Sequence, residues 1–310
     1  MAEQSKALTA SLRATRRLAL LSLGAASGAA AIYVITVGTR AGQLLGELIL
    51  GGRPPALEQV TTAESVLQIL SRSSLALGTL IICAIALLQR RPWLASAALI
   101  VVIGANVTTQ LLKQILLDRT DLLDGLFYPL PNSFPSGHAT AAASIAVGLL
   151  LVVPPLLRAP VVVLSGVVVA VVGVSTLVTG WHRMADAVGG TFVATSWGAG
   201  LAAFLTWRHG VESVGPRTAQ LGRVGARTSM ALGAGLVVFG AFAYLVAAID
   251  PLEVLFHLAE RGGSPALFGI GVVIVVGATF LTLGALGLAL RDVRLDPRST
   301  NFEERLAPRP

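Results

Sequence analysis

Runs of about 20 apolar residues recur along this 310-residue chain, and that is the length a helix needs to cross the hydrocarbon core of a bilayer. The runs fall at about 18–38, 74–88, 93–117, 139–153, 160–179, 187–207, 229–249 and 266–290. Strands of a membrane barrel would alternate polar and apolar residues instead, and no such alternation is present. Only 13% of residues are charged and mean hydropathy is +0.77, whereas roughly a quarter of the residues of a soluble domain are charged. The expectation is an all-α, polytopic transmembrane helix bundle.

Punctuation between the runs suggests its organisation. Residues 1–17 are polar and end in Arg13, Arg16 and Arg17. The apolar run that follows is too long for a signal peptide and lacks a small-residue cleavage pattern, so it reads as a first membrane helix. Gly51-Gly52-Arg53-Pro54-Pro55 breaks any helix, leaving Ala41–Leu50 and Glu58–Leu70 as short amphipathic pieces of an outer loop. Residues 208–228 carry Arg208, Arg217, Arg223 and Arg227 and read as a basic linker. It separates a six-helix core, residues 1–210, from residues 211–310, which hold a two-helix hairpin and a loose polar tail from Arg291.

Charge sets the orientation. With the amino end inside, inner segments hold 16 Lys+Arg against 6 Asp+Glu, and outer segments hold 7 against 10. Short cytoplasmic loops collect Lys and Arg in this way. The net charge of +7 is therefore a topology signal and an attraction to anionic headgroups, with no nucleic-acid partner implied. Both termini are expected in the cytoplasm, and Lys113, Arg119, His138, His182 and Asp186 all fall on the outer side.

Those five residues are the chemical part of the chain. Lys113 is one of two lysines against 21 arginines and sits at a helix end. A snorkelling cation would serve there as well. With Arg119 six residues on, it offers two cations to an anion, the arginine able to fork onto two oxygens. Pro131-Asn132-Ser133-Phe134-Pro135-Ser136-Gly137-His138 is a polar turn wedged between apolar runs. Gly137 lets backbone approach a ligand, and amides opening the next helix point at any anion there. His182 and Asp186 lie four apart; on a shared helical face the carboxylate would fix the imidazole tautomer and leave Nε2 free as a nucleophile or base. Each feature has a structural explanation by itself. Their conjunction on one side of the membrane favours a phosphate-handling site.

Cys83 stands alone in an apolar run, which excludes intrachain disulfides and a cysteine metal site. Glu253, His257 and Glu260 have helical spacing for metal ligands but read better as a solvated amphipathic turn. His209 and the four tryptophans, Trp93, Trp181, Trp197 and Trp207, read as interfacial residues.

The order Lys113…Arg119, then Pro135-Ser136-Gly137-His138, then Ser175…His182-x-x-x-Asp186 resembles the type-2 phosphatidate phosphatase family of integral membrane lipid phosphatases. Trp181-His182-Arg183-Met184-Ala185-Asp186-Ala187-Val188-Gly189-Gly190 extends the match, which covers the six-helix part. Two blocks depart from the family pattern. In the first, Lys113 and Arg119 lie one residue closer than is usual and Thr120 stands where proline usually follows the arginine; in the third, Ser175-Thr176 stands where Ser-Arg is usual, and Arg183 would supply the missing charge.

The resemblance implies a reaction without metal or cofactor through a phosphohistidine. His182 would attack phosphorus, Asp186 would orient it, and His138 would act as acid and then base. Lys113, Arg119, Ser136, Gly137 and Arg183 would hold the phosphoryl oxygens. It further implies a lipid phosphate substrate at the outer face of the plasma membrane, a polyprenyl (di)phosphate carrier being the best candidate. Phosphotransfer to another acceptor and non-catalytic headgroup binding are the alternatives. The carboxy-terminal hairpin would be the surface for a homo-oligomer or protein partner.

Overall fold

The computed structural model describes residues 2–54, 56–69, 72–124, 132–249 and 263–295. Among these the chain forms ten α-helices: α1 (Ala2–Thr36), α2 (Arg40–Gly51), α3 (Leu57–Ile69), α4 (Arg72–Leu88), α5 (Pro92–Leu111), α6 (Gly137–Val152), α7 (Arg158–Val178), α8 (Met184–His209), α9 (Pro216–Ile249) and α10 (Pro265–Ala289). Strands β1 (Glu212–Ser213) and β2 (Val293–Arg294) pair antiparallel for two residues.

Six helices are each long and apolar enough to cross a membrane: α1, α5 with its terminal turn, α7, α8, α9 and α10. Their outward faces are apolar, with Leu20, Leu23, Leu164, Val168, Phe239 and Phe242 exposed. A bundle with such a surface is solvated by lipid, and the protein is a multi-pass membrane protein. The other two expected spans, α4 and α6, are helices of 17 and 16 residues. The length of α6 matters least, because it is buried on nearly all sides and packs against α5, α7 and α8 instead of lipid.

Three expectations need correction. The basic linker is not a linker throughout: α9 begins at Pro216, so Arg217, Arg223 and Arg227 lie on its first turns. Arg291 does not open a loose tail, since Val293 and Leu295 are buried and Val293–Arg294 is paired with β1. Nor is α2 a helix at an open interface. Leu44, Leu45, Leu48 and Ile49 are 0–1% exposed and form a core with Leu123, Leu177, Met184 and Leu267. Burying such a side chain from water is worth about 1.5–3 kcal/mol, enough to fold this amphipathic helix onto the bundle.

Helices α1, α5 and α7 end, and α6 and α8 begin, at one end of the bundle, so the segments joining them converge there. Two glycines shape that end. Gly180, at φ +73°, makes the left-handed turn after α7. Gly190 lets α8 run against the start of α6: a methyl there would lie 2.7 Å from the Ser136 carbonyl oxygen and 2.8 Å from Thr140 Oγ1. Gly190→Ala is therefore expected to destabilise the fold by about 1–3 kcal/mol, read as a lower midpoint in thermal unfolding of detergent-solubilised protein. An unchanged midpoint would show that the two helices can part there without cost.

Candidate active site

Each block of the polar motif is carried by the end of a different helix. The last turn of α5 widens into a π-turn, Leu112–Leu116, closed by the Leu117 amide on the Leu112 carbonyl at 2.9 Å. Lys113 lies in this turn, and such bulges often mark functional sites. The second block is fixed to it by Asn132, whose Nδ2 donates to the carbonyls of Leu117 (3.0 Å) and Lys113 (3.3 Å). Pro131 lies outside the described residues.

Ser136 ends the turn. Its amide donates to the Asp186 carbonyl at 2.8 Å, joining the second block to the third through backbone. Its hydroxyl, expected among the phosphate ligands, is fully buried and caps α6, accepting from the Ala139 amide at 3.4 Å. The helix starts two residues earlier than expected, at Gly137, so Gly137 and His138 occupy its first turn. There the open amides and the helix dipole favour an anion. His138 is partly buried and its ring lies 5.7 Å from that of Trp181, which is itself exposed.

The His182–Asp186 contact forms, though not by the expected geometry. His182 precedes α8 instead of sharing a helical face with Asp186, and Arg183 is the N-cap. Asp186, three residues into the cap, reaches back: its Oδ2 accepts from the Arg183 amide at 2.9 Å and lies 3.3 Å from His182 Nδ1. The Ser133 hydroxyl donates to the same oxygen at 2.6 Å. A fully buried carboxylate so held fixes the imidazole with Nδ1 toward Asp186 and Nε2 outward. The His182 amide donates to the Thr176 carbonyl at 3.1 Å, so Thr176 supports the backbone that presents His182. Its own side chain is fully buried and donates to Gly173.

His138 is within electrostatic range of both His182 and Lys113, and Lys113 of Asp186. Arg119 stands with Arg183 around a residue that sequence reasoning passed over, Glu47 of α2. Its Oε1 accepts from Arg119 Nη2 at 2.8 Å and from Arg183 Nε and Nη2 at 2.9 and 2.6 Å. The three side chains are only 7–10% exposed. Burial pulls the Arg119 guanidinium below its ordinary pKa, Arg183 adds to this, and Glu47 acts in the opposite direction. Arg183 Nη1 also donates to Ser133 Oγ at 3.2 Å. Glu47 and Gln43 are legible in the sequence only as polar residues four apart that interrupt the apolar run after Arg40.

Behind this network lies a cavity of about 10 Å³ lined by Thr36, Arg183, Asp186 and Tyr244 among others, room for one water. The Tyr244 hydroxyl is buried and has no hydrogen-bond partner among the described residues. A larger cavity, about 260 Å³, lies between α1, α5 and α8, walled by Ala29, Tyr33, Leu112, Leu117, Phe134 and Trp197. Glu253, His257 and Glu260 lie outside the described residues.

Two imidazoles, one held by a buried carboxylate, stand with a lysine and two arginines at one end of an apolar bundle: the composition of a membrane phosphatase. The comparison with known families agrees. Residues 25–209 match the PAP2 superfamily, and the chain belongs to it. The match stops at the end of α8, ahead of α9 and α10. No curated protein and no solved structure matches the chain.

Proposed function

We propose that the protein is a metal-independent lipid phosphate phosphatase that works through a phosphohistidine at the outer face of the plasma membrane. The observation that carries this reading is the His182–Asp186 contact at 3.3 Å, with His138 within electrostatic range of His182 and Lys113 of Asp186. His182 Nε2 attacks phosphorus; the P–O bond to the lipid breaks as the N–P bond forms, and His138 gives its proton to the leaving oxygen. Asp186 stabilises the imidazolium. Water then attacks phosphorus, His138 takes its proton, and the N–P bond breaks to release phosphate. Lys113, Arg119 and the Gly137 amide hold the phosphoryl oxygens as charge builds on them. Ser136 acts through the helix start that it caps.

The substrate is a lipid-linked phosphate or diphosphate. The 260 Å³ cavity supports this, because its walls are largely apolar and Leu112, Leu117 and Phe134 belong to the segments that carry the site. A polyprenyl carrier fits best, since such carriers lose a phosphate on the outer face when recycled. The test is to incubate purified protein in EDTA with polyprenyl diphosphate labelled at the terminal phosphate. Label released as free phosphate is the expected result. Label transferred to a second lipid or a sugar would replace hydrolysis by phosphotransfer. Binding without turnover at any pH would make the protein a headgroup-binding component.

A further inference from the structure

Helix α2 touches one place where the sequence departs from the family pattern, Thr120, and also Arg183, the residue offered in place of the arginine missing at the other. Thr120 replaces the usual proline after Arg119, and its carbonyl accepts from Gln43 Nε2 at 2.8 Å; the Gln43 Oε1 in turn accepts from the Leu122 amide at 3.2 Å. Gln43 therefore holds, by backbone on both sides of Asp121, the loop that a proline would have stiffened. The arginine missing at Thr176 has its counterpart in Arg183, and Glu47, one turn along from Gln43, holds that guanidinium and Arg119 together.

We infer that Glu47 is a positioning residue of the phosphate site, fixing Arg119 and Arg183 as a paired cation in place of the arginine absent at position 176. This rests on the phosphatase reading above. Two nearly buried guanidiniums repel each other, and the carboxylate between them offsets that repulsion. The helix that presents it is not a movable arm. Its apolar face is in the core, and its start is capped by Thr39, whose hydroxyl accepts from the Gly42 amide at 3.0 Å. From Glu47 a hydrogen-bonded series runs through Arg183, Ser133 and Asp186 to His182. The cation pair is thereby held in register with the nucleophile.

The test is a double-mutant cycle on full-length protein in detergent, with inorganic phosphate binding measured by calorimetry for wild type, E47Q, R183Q and the double variant. Expected are losses of about tenfold or more for each single change, as for charge-assisted hydrogen bonds, and a double variant no weaker than the weaker single one. In turnover, E47Q is expected to raise KM well beyond its effect on kcat. If E47Q does not fold, E47D serves, since it draws the oxygen back by about one C–C bond, 1.5 Å; weaker phosphate binding supports the inference and wild-type binding overturns it. Phosphate binding to E47Q as tight as or tighter than wild type overturns it too, and would make Glu47 an occupant of the anion site. Additive losses in the cycle also overturn it. A wild-type protein that binds phosphate yet hydrolyses no lipid phosphate removes the phosphatase reading instead, and leaves the binding cycle to decide on Glu47.

Discussion

His182→Ala is expected to abolish phosphate release, with kcat falling by on the order of 10⁴ or more, as when a covalent nucleophile is removed. The variant should still fold, because the contact that places the third block, the Ser136 amide on the Asp186 carbonyl, is made by backbone and does not involve the imidazole. Phosphate binding should persist, since Lys113, Arg119 and the start of α6 are untouched. A second signature separates nucleophile from bystander. Wild type quenched during turnover should carry an acid-labile, base-stable phosphoryl group, and the variant none. Release at wild-type rate from H182A in EDTA would take His182 out of the reaction.

Removal of residues 211–310 is expected to leave a protein that does not fold, although the family match ends at residue 209. Helix α10 packs along α7 and α8 and against α2. Lipid could cover the faces exposed on α7 and α8, but two losses have no such remedy. Arg158 is 3% exposed and donates through Nη1 to the carbonyls of Leu290 (2.6 Å) and Val293 (2.5 Å). Without them a buried guanidinium has no acceptor, at a cost of about 3–5 kcal/mol. Ile49 and Leu48 of α2 would lose Leu267 from their core, and Glu47 would lose the fixed helix that presents it. The expected readout is aggregation in size-exclusion chromatography. A monodisperse 1–210 fragment with full activity would show the hairpin to be an accessory and would make it available for a partner.

The parts of this structure set by hydrophobic length and by covalent neighbourhood could be read from the chain. All eight apolar runs are helices, and His182 and Asp186 meet because only three residues separate them. Contacts made by residues far apart in sequence left little trace. Glu47 lies 72 residues from Arg119 and 136 from Arg183, and nothing in an amphipathic dozen residues says which loop will lie above it. The burial of α2 is not legible in the sequence, because an apolar face can rest on lipid or on protein and the period of a helix does not distinguish the two. Ser136 poses a similar choice. A serine before a helix can face an anion or cap the helix, and in the structure it is buried and caps α6. The register of Arg291–Leu295 depends on β1, a two-residue pairing with no periodic signal.

The seam at Gly190 bears on substrate range. Where α6 meets α8, main chain touches main chain, so the spacing of the segments that carry His138 and His182 is set by peptide geometry and not by side chains that could repack. Under the phosphatase reading proposed above, a variant of this chain that accepts a bulkier lipid is expected to change the cavity walls on α1 and α5 and to leave this seam as it is.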